Sequence, residues 1–192
     1  MQYVRWFEDV GLGDVASVGS KVASLGELIR ELGPLGVRVP GGFAVTADGY
    51  RHFLEAANLG PAIGAALAGL VRADVDDLVA RAARIRALIE AAPLPAGIEV
   101  QVRHAYRELS RRCAQEGADV AVRSSAAAED STEASFAGQH HSFLNVRGEE
   151  ALLDAVRRCF TSSPPRRTRK ASSSRSRPSG ACARSSASRT SS

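Results

Sequence analysis

Three segments of this 192-residue sequence hold side chains that could act on an anion. The first is Val18-Gly19-Ser20-Lys21-Val22-Ala23-Ser24-Leu25-Gly26-Glu27. A Gly-Ser turn opens a helix, and a lysine falls in its first turn. Unpaired amides and the positive end of the helix dipole make such a place a cradle for phosphate. A cation there is electrostatically unfavourable unless an anion joins it. Lys21 is also the only lysine before residue 161, where arginine fills the other sixteen basic positions. A compact ammonium meets phosphate oxygens differently from a guanidinium fork. Gly19 and Ser20 would support it through the turn. The plain alternative is a solvated surface lysine. The spacing does not form a Walker loop, because no Gly-x4-Gly-Lys-Ser/Thr is present.

The second segment is Val120-Ala-Val-Arg123-Ser124-Ser125-Ala-Ala-Ala-Glu129-Asp130-Ser131. An arginine ending an apolar strand, followed by two hydroxyls, suits a bidentate anion contact. An ion pair of Arg123 with Glu129 or Asp130 would suit the same pattern. The third segment runs from Ser135 through Gly138, Gln139, His140 and His141 to Val146. Small residues around Gly138 could close over a polyphosphate with backbone amides. The adjacent histidines do not make a metal site: neighbours in extended chain point to opposite faces, and no third ligand stands at useful spacing. His52 and His104 lie on predicted helices and need no special role.

The elements that must hold these groups follow from periodicity. Val4 to Phe7 reads as a short strand and Gly11 to Asp14 as a turn. Val22, Leu25, Leu28, Ile29 and Leu32 recur at helical spacing until Gly33-Pro34. Phe43 to Thr46 reads as a buried strand. Helices are expected over Ala47–Ala57, Pro61–Leu70, Asp74–Ala91 and Pro95 to about Glu116. The third of these carries Val75, Leu78, Val79, Ala82, Ile85, Leu88 and Ile89 on one inward face. The fourth carries Ile98, Val102, Tyr106 and Leu109. Strands follow at Asp119–Arg123 and Ser142–Val146. A last helix begins at Gly148, with Leu152, Leu153 and Val156 inward. The fold class expected is α+β.

Composition divides the chain near residue 160. The last 32 residues contain twelve Ser, seven Arg and one Lys, with no acidic residue, Val, Ile, Leu or aromatic. Such a stretch buries too little apolar surface to offset its ordering entropy. The formal charge of +4 comes from this segment. Residues 1–160 carry 17 basic and 21 acidic residues, a net of −4. The basic pI therefore gives no reason to expect nucleic acid at the body. Arginine and alanine usage suggests GC-rich coding, and the composition breaks inside an amphipathic helix. We read residues 161–192 as a disordered tail produced by a shifted reading frame. A native basic tail, or a basic-tailed interaction module, is the alternative. Cys113, Cys159 and Cys182 form no CxxC pair. No apolar run is long enough to span a membrane, and the start lacks a secretory pattern, so a cytoplasmic protein is expected.

GSKVASLGEL, RVPGGFAVTADGYRHFL, AVRSSAAAEDS and ASFAGQHHSFLNVRGEEALLDAVRRCF together resemble the N-terminal ATP-binding domain of the phosphoenolpyruvate synthase (pyruvate, water dikinase) family. The resemblance spans residues 3–160. Pyruvate, phosphate dikinase and rifampicin phosphotransferase share this domain type and remain alternatives, as does a stand-alone nucleotide-binding module. The resemblance implies an ATP-grasp-like domain over residues 1–160. It implies ATP and Mg²⁺ as cofactors, pyruvate as acceptor, and phosphoryl transfer through a histidine on a separate domain. It also implies that Lys21, Arg123, Gly138 and Gln139 contact the ATP phosphates, with Gly19, Ser20, Ser124 and Ser125 in support. No catalytic or metal-ligating residue is expected in this part. The 192 residues alone are expected to make no phosphoenolpyruvate and to bind ATP weakly. The sequence departs from the family pattern in three places. Gly19-Ser20-Lys21-Val22-Ala23-Ser24 stands for Gly-Gly-Lys-Asn-Ala-Ser, Ala127 for a frequent threonine, and His140-His141 for other polar residues. Ser20 would lose backbone freedom if that position needs positive φ.

Overall fold

A computed structural model describes residues 1–70, 74–124 and 142–162. Two small antiparallel ribbons are embedded among helices, an α+β arrangement. Strand β1 (Val4–Trp6) pairs with β2 (Phe43–Val45), with Arg5 opposite Ala44. Strand β3 (Val120–Arg123) pairs with β4 (Ser142–Val146). Between them run α1 (Val15–Val18), α2 (Ser20–Leu32), α3 (Ala47–Ala56), α4 (Leu59–Leu67), α5 (Val75–Ala91) and α6 (Ala96–Arg112). Helix α7 (Glu149–Phe160) closes the order.

Local chemistry sets these boundaries. Thr46 begins α3 by accepting a hydrogen bond from the Gly49 amide, and Asp74 begins α5 by accepting from Asp77. The Gly11–Asp14 turn is realised as a 3-10 turn over Leu12–Asp14. Helix α4 starts at Leu59, before the expected Pro61, because Asn58 adopts a left-handed conformation (φ 48°) that ends the preceding turn. Helix α6 stops at Arg112 rather than near Glu116. Ala114 turns left-handed, and the Gln115 amide closes back on the Ser110 carbonyl at 2.9 Å.

The main core joins α3, α4, α5, α6 and α7 with both ribbons. Phe53, Ile98 and Val102 are fully covered. Phe160 reaches in from the end of α7, with its ring 5.2 Å from Phe53 and 5.1 Å from Tyr50. A second, smaller cluster of Val10, Val18 and Ala23 lies under α2. The expected inward face of α5 is only half right. Ile89 is buried and Ile85 and Leu88 pack on the core, whereas Val75, Leu78 and Val79 are exposed. Among the described residues, the core covers only the C-terminal half of that stripe.

Candidate functional site

Lys21 occupies the first turn of α2 and is exposed. The helix opens at Gly19, where φ is 82° and ψ 160°. The Gly19 amide donates to the Val15 carbonyl at 2.8 Å, closing α1, and its own carbonyl accepts from Ala23 at 3.1 Å. Ser20 is already helical. Positive φ is therefore required at Gly19, which keeps its glycine, and the serine at 20 costs no backbone strain. No side-chain cap bonds this end, and the first turn holds no acidic residue. Its leading amides have no acceptor within the helix. That end of α2 can accept an anion.

A network missed in the sequence fixes where α2 points. Arg5 pairs with Asp14 at 2.6 Å and also donates to the Asp9 carbonyl. The Gly11 amide donates to the other Asp14 oxygen at 3.0 Å. Arg5, and then the Gly11 amide, hold the Asp14 carboxyl below the usual range. Glu27 accepts from the Leu12 amide at 3.0 Å and pairs with Arg30, which donates to the Val10 carbonyl at 3.1 Å. Gly26 permits this approach, since a Cβ there would sit 2.1 Å from the Val10 oxygen. The segment before α2 is thus tied down along the helix that carries Lys21. No local periodicity signals these partners; only the repeated Arg and Asp/Glu types hinted at them.

Arg123 ends β3 directly opposite Ser142, the first residue of β4. Its side chain is exposed, while Ser124 behind it is buried. Ser125, Gly138, Gln139, His140 and His141 lie outside the described residues. The ribbon is anchored by Tyr106, whose hydroxyl donates to the Ala118 carbonyl at 2.9 Å and accepts from the Gly148 amide at 2.7 Å. Next to it, Glu149 pairs with Arg103 at 3.0 Å and with Arg107 at 2.5 Å. Arg103 also reaches Glu99 and Glu150. Arg107, and then Arg103, lower the Glu149 pKa to about 2.

Lys21 and Arg123 stand on elements with different supports. Helix α2 packs on α1 and the turns of residues 7–14, whereas β3 packs on β4 and α7. Two surface cavities, of about 550 and 730 Å³, are lined around Tyr106 and Arg147 and around Val37 and Cys113. Neither includes Lys21 or Arg123. Among the described residues no three His, Cys, Asp or Glu side chains gather as a metal site. Among the same residues no helix is long and apolar enough to cross a membrane.

Comparison with known proteins matches residues 15–175 to the pyruvate phosphate dikinase AMP/ATP-binding domain. Phosphoenolpyruvate synthase of Deinococcus radiodurans is 48% identical over 162 residues, covering 84% of this chain and 20% of that protein. The synthase of Aquifex aeolicus is 45% identical over 159 residues, covering 83% and 19%. That of Escherichia coli is 45% identical over 159 residues, covering 83% and 20%. The chain spans about one fifth of the length of these relatives. The chain belongs to the pyruvate phosphate dikinase AMP/ATP-binding domain family.

Proposed function

We infer that residues 1–160 form an ATP-grasp-like domain that holds the triphosphate of ATP for a phosphoenolpyruvate synthase. The observation that carries this reading is the glycine-opened start of α2, whose first turn holds Lys21 and no acidic residue. Phosphoryl transfer depends on positioning and charge neutralisation more than on covalent chemistry. Lys21 would neutralise one phosphate as a point charge, and Arg123 would fork onto another. Gly138 and Gln139 would add backbone and amide donors, with Gly19, Ser20, Ser124 and Ser125 in support. In the full-length enzyme, pyruvate would be the acceptor, with phosphoenolpyruvate, AMP and phosphate as products. Mg²⁺ belongs to that larger reaction, and no described residue of this chain is assigned to it. The division at residue 160 rests on the end of α7 at Phe160 and on the composition shift. The family match itself runs to residue 175.

Chemical-shift titration of the 192-residue chain with AMP, ADP, ATP and tripolyphosphate tests the reading, because it registers even millimolar binding. Affinity should rise with phosphate number. Lys21→Ala and Arg123→Ala should each weaken ATP binding by about tenfold, the worth of roughly 1.4 kcal/mol. Equal affinity for AMP and ATP, or no effect of Lys21→Ala, would overturn it.

A further inference from the structure

Strand β4 carries one residue more than β3 can match. Val120 faces Val146 and Val122 faces Phe143, so two steps along β3 answer three along β4. Leu144 and Asn145 therefore share the place opposite Ala121, which makes a β-bulge. Asn145 stands in it with φ 54°, in the left-handed region. Asparagine tolerates that region better than most residues, whereas a β-branched residue does not. Both bulged side chains face solvent, with Leu144 65% exposed. Phe143 and Val146, on either side of them, turn to the core.

The extra residue decides what stands beside Arg123. Strand β3 alternates, with Val120 and Val122 half-buried and Ala121 and Arg123 exposed. Side chains of a regular strand change face at each residue, so Phe143 and Val146, three apart, could not both face inward without the bulge. A regular ladder continued from the Val120–Val146 pair would set Leu144 opposite Val122 and Phe143 opposite Arg123. The phenyl ring would then lie on the exposed face, next to the guanidinium. The bulge sets Ser142 there instead. It keeps Phe143 inward, where the Arg158 guanidinium carbon lies 4.5 Å from the ring centre.

We propose that Asn145 is a positioning residue for Arg123: its left-handed backbone holds the bulge, and the bulge keeps an aromatic ring off the face from which Arg123 meets a phosphate. This rests on the reading that Arg123 contacts the ATP phosphates. The Asn145 side chain touches no ligand in this scheme and acts only through the conformation it permits. Glycine should therefore serve at position 145, and a β-branched residue should not.

Cross-strand NOE contacts and chemical-shift titration with ATP, both on the full chain, test this together. Asn145→Val should move the contacts of residue 123 from Ser142 to Phe143 and weaken ATP binding about tenfold, the loss expected of Arg123→Ala. Asn145→Gly should keep the Ser142 contacts and bind ATP within about twofold of the unaltered chain. In an Arg123→Ala background Asn145→Val should cost no further affinity, whereas a general loss of stability would cost as much in both backgrounds. If the valine chain does not fold, Asn145→Ala makes the same comparison with an expected loss of about threefold. Unchanged contacts and affinity, a shifted register with full affinity, or a loss that persists in the Arg123→Ala background overturns the proposal. In each of those cases a weakened Arg123→Ala chain leaves the ATP reading standing. An Arg123→Ala chain that binds ATP as well as the unaltered one removes the role of Arg123 and the proposal with it.

Discussion

Gly26 of α2 lies directly under the carbonyl of Val10, so close that a Cβ on Gly26 would stand 2.1 Å from the Val10 oxygen. The same substituent would stand 2.7 Å from the Phe7 carbonyl. Backbone meets backbone here, so no side-chain rotation can relieve a methyl group. Gly26→Ala should therefore lift the segment of residues 7–14 off α2. The expected cost is about 1–3 kcal/mol from overpacking, read as a lower midpoint in chemical denaturation. Protection of the Leu12 amide from hydrogen exchange should fall, because its bond to Glu27 depends on that contact.

The entry to α2 makes an opposite demand at two neighbouring residues. Gly19 has φ 82° and ψ 160°, whereas Ser20 is helical. Gly19→Ala should cost about 1–3 kcal/mol through backbone strain. Ser20→Ala should be nearly silent, within about 0.5 kcal/mol. If Lys21 binds phosphate, Gly19→Ala should also weaken ATP binding by shifting the first turn. Equal melting temperatures for the two variants would contradict the assigned strain.

Glu149 gives the fold a defined acid sensitivity. Arg107 and Arg103 lower its pKa from 4.5 to about 2. A carboxylate with a depressed folded pKa adds stability above its unfolded pKa, and that stability is lost as pH falls through the folded value. Comparing the chain with Glu149→Gln cancels carboxylates remote from the site, while Glu99 and Glu150, which share Arg103, stay coupled to it. The variant should melt lower at neutral pH, and the gap should close between about pH 4.5 and pH 2. A gap constant across that window would show that Glu149 gains nothing from its two arginines.

The cysteines should separate by reactivity. Cys113 is exposed, while Cys159 is buried in α7 and burial pushes its thiol up to about 12. The thiolate is the reactive form. In a Cys182→Ser background, a thiol reagent at pH 8 should label Cys113 quickly. Cys159 should react at least about tenfold more slowly until denaturant is added. Matching rates in the native protein would place Cys159 at the surface.

Much of the local architecture was written in the sequence. Helices α2, α3, α5 and α7 could be placed within a residue or so, because apolar side chains recur with the helical period and Gly, Pro, Asp or Thr mark the ends. The same local logic put Lys21 in the first turn of α2 and Arg123 at the end of β3, since each position depends only on nearby residues. Which faces are covered did not follow. The stripe of α5 is uniform in sequence, yet only Ile85, Leu88 and Ile89 meet the core, because coverage depends on how far the neighbouring helices reach. Nor could spacing reveal that Arg5 seeks Asp14, that Glu27 holds Leu12, or that Gly26 receives Val10. Those contacts join segments that only the fold brings together, and their strength comes from geometry that residue type does not encode. The sequence by itself determined where a phosphate-binding end of a helix could be; the tertiary structure decided what holds that helix in place.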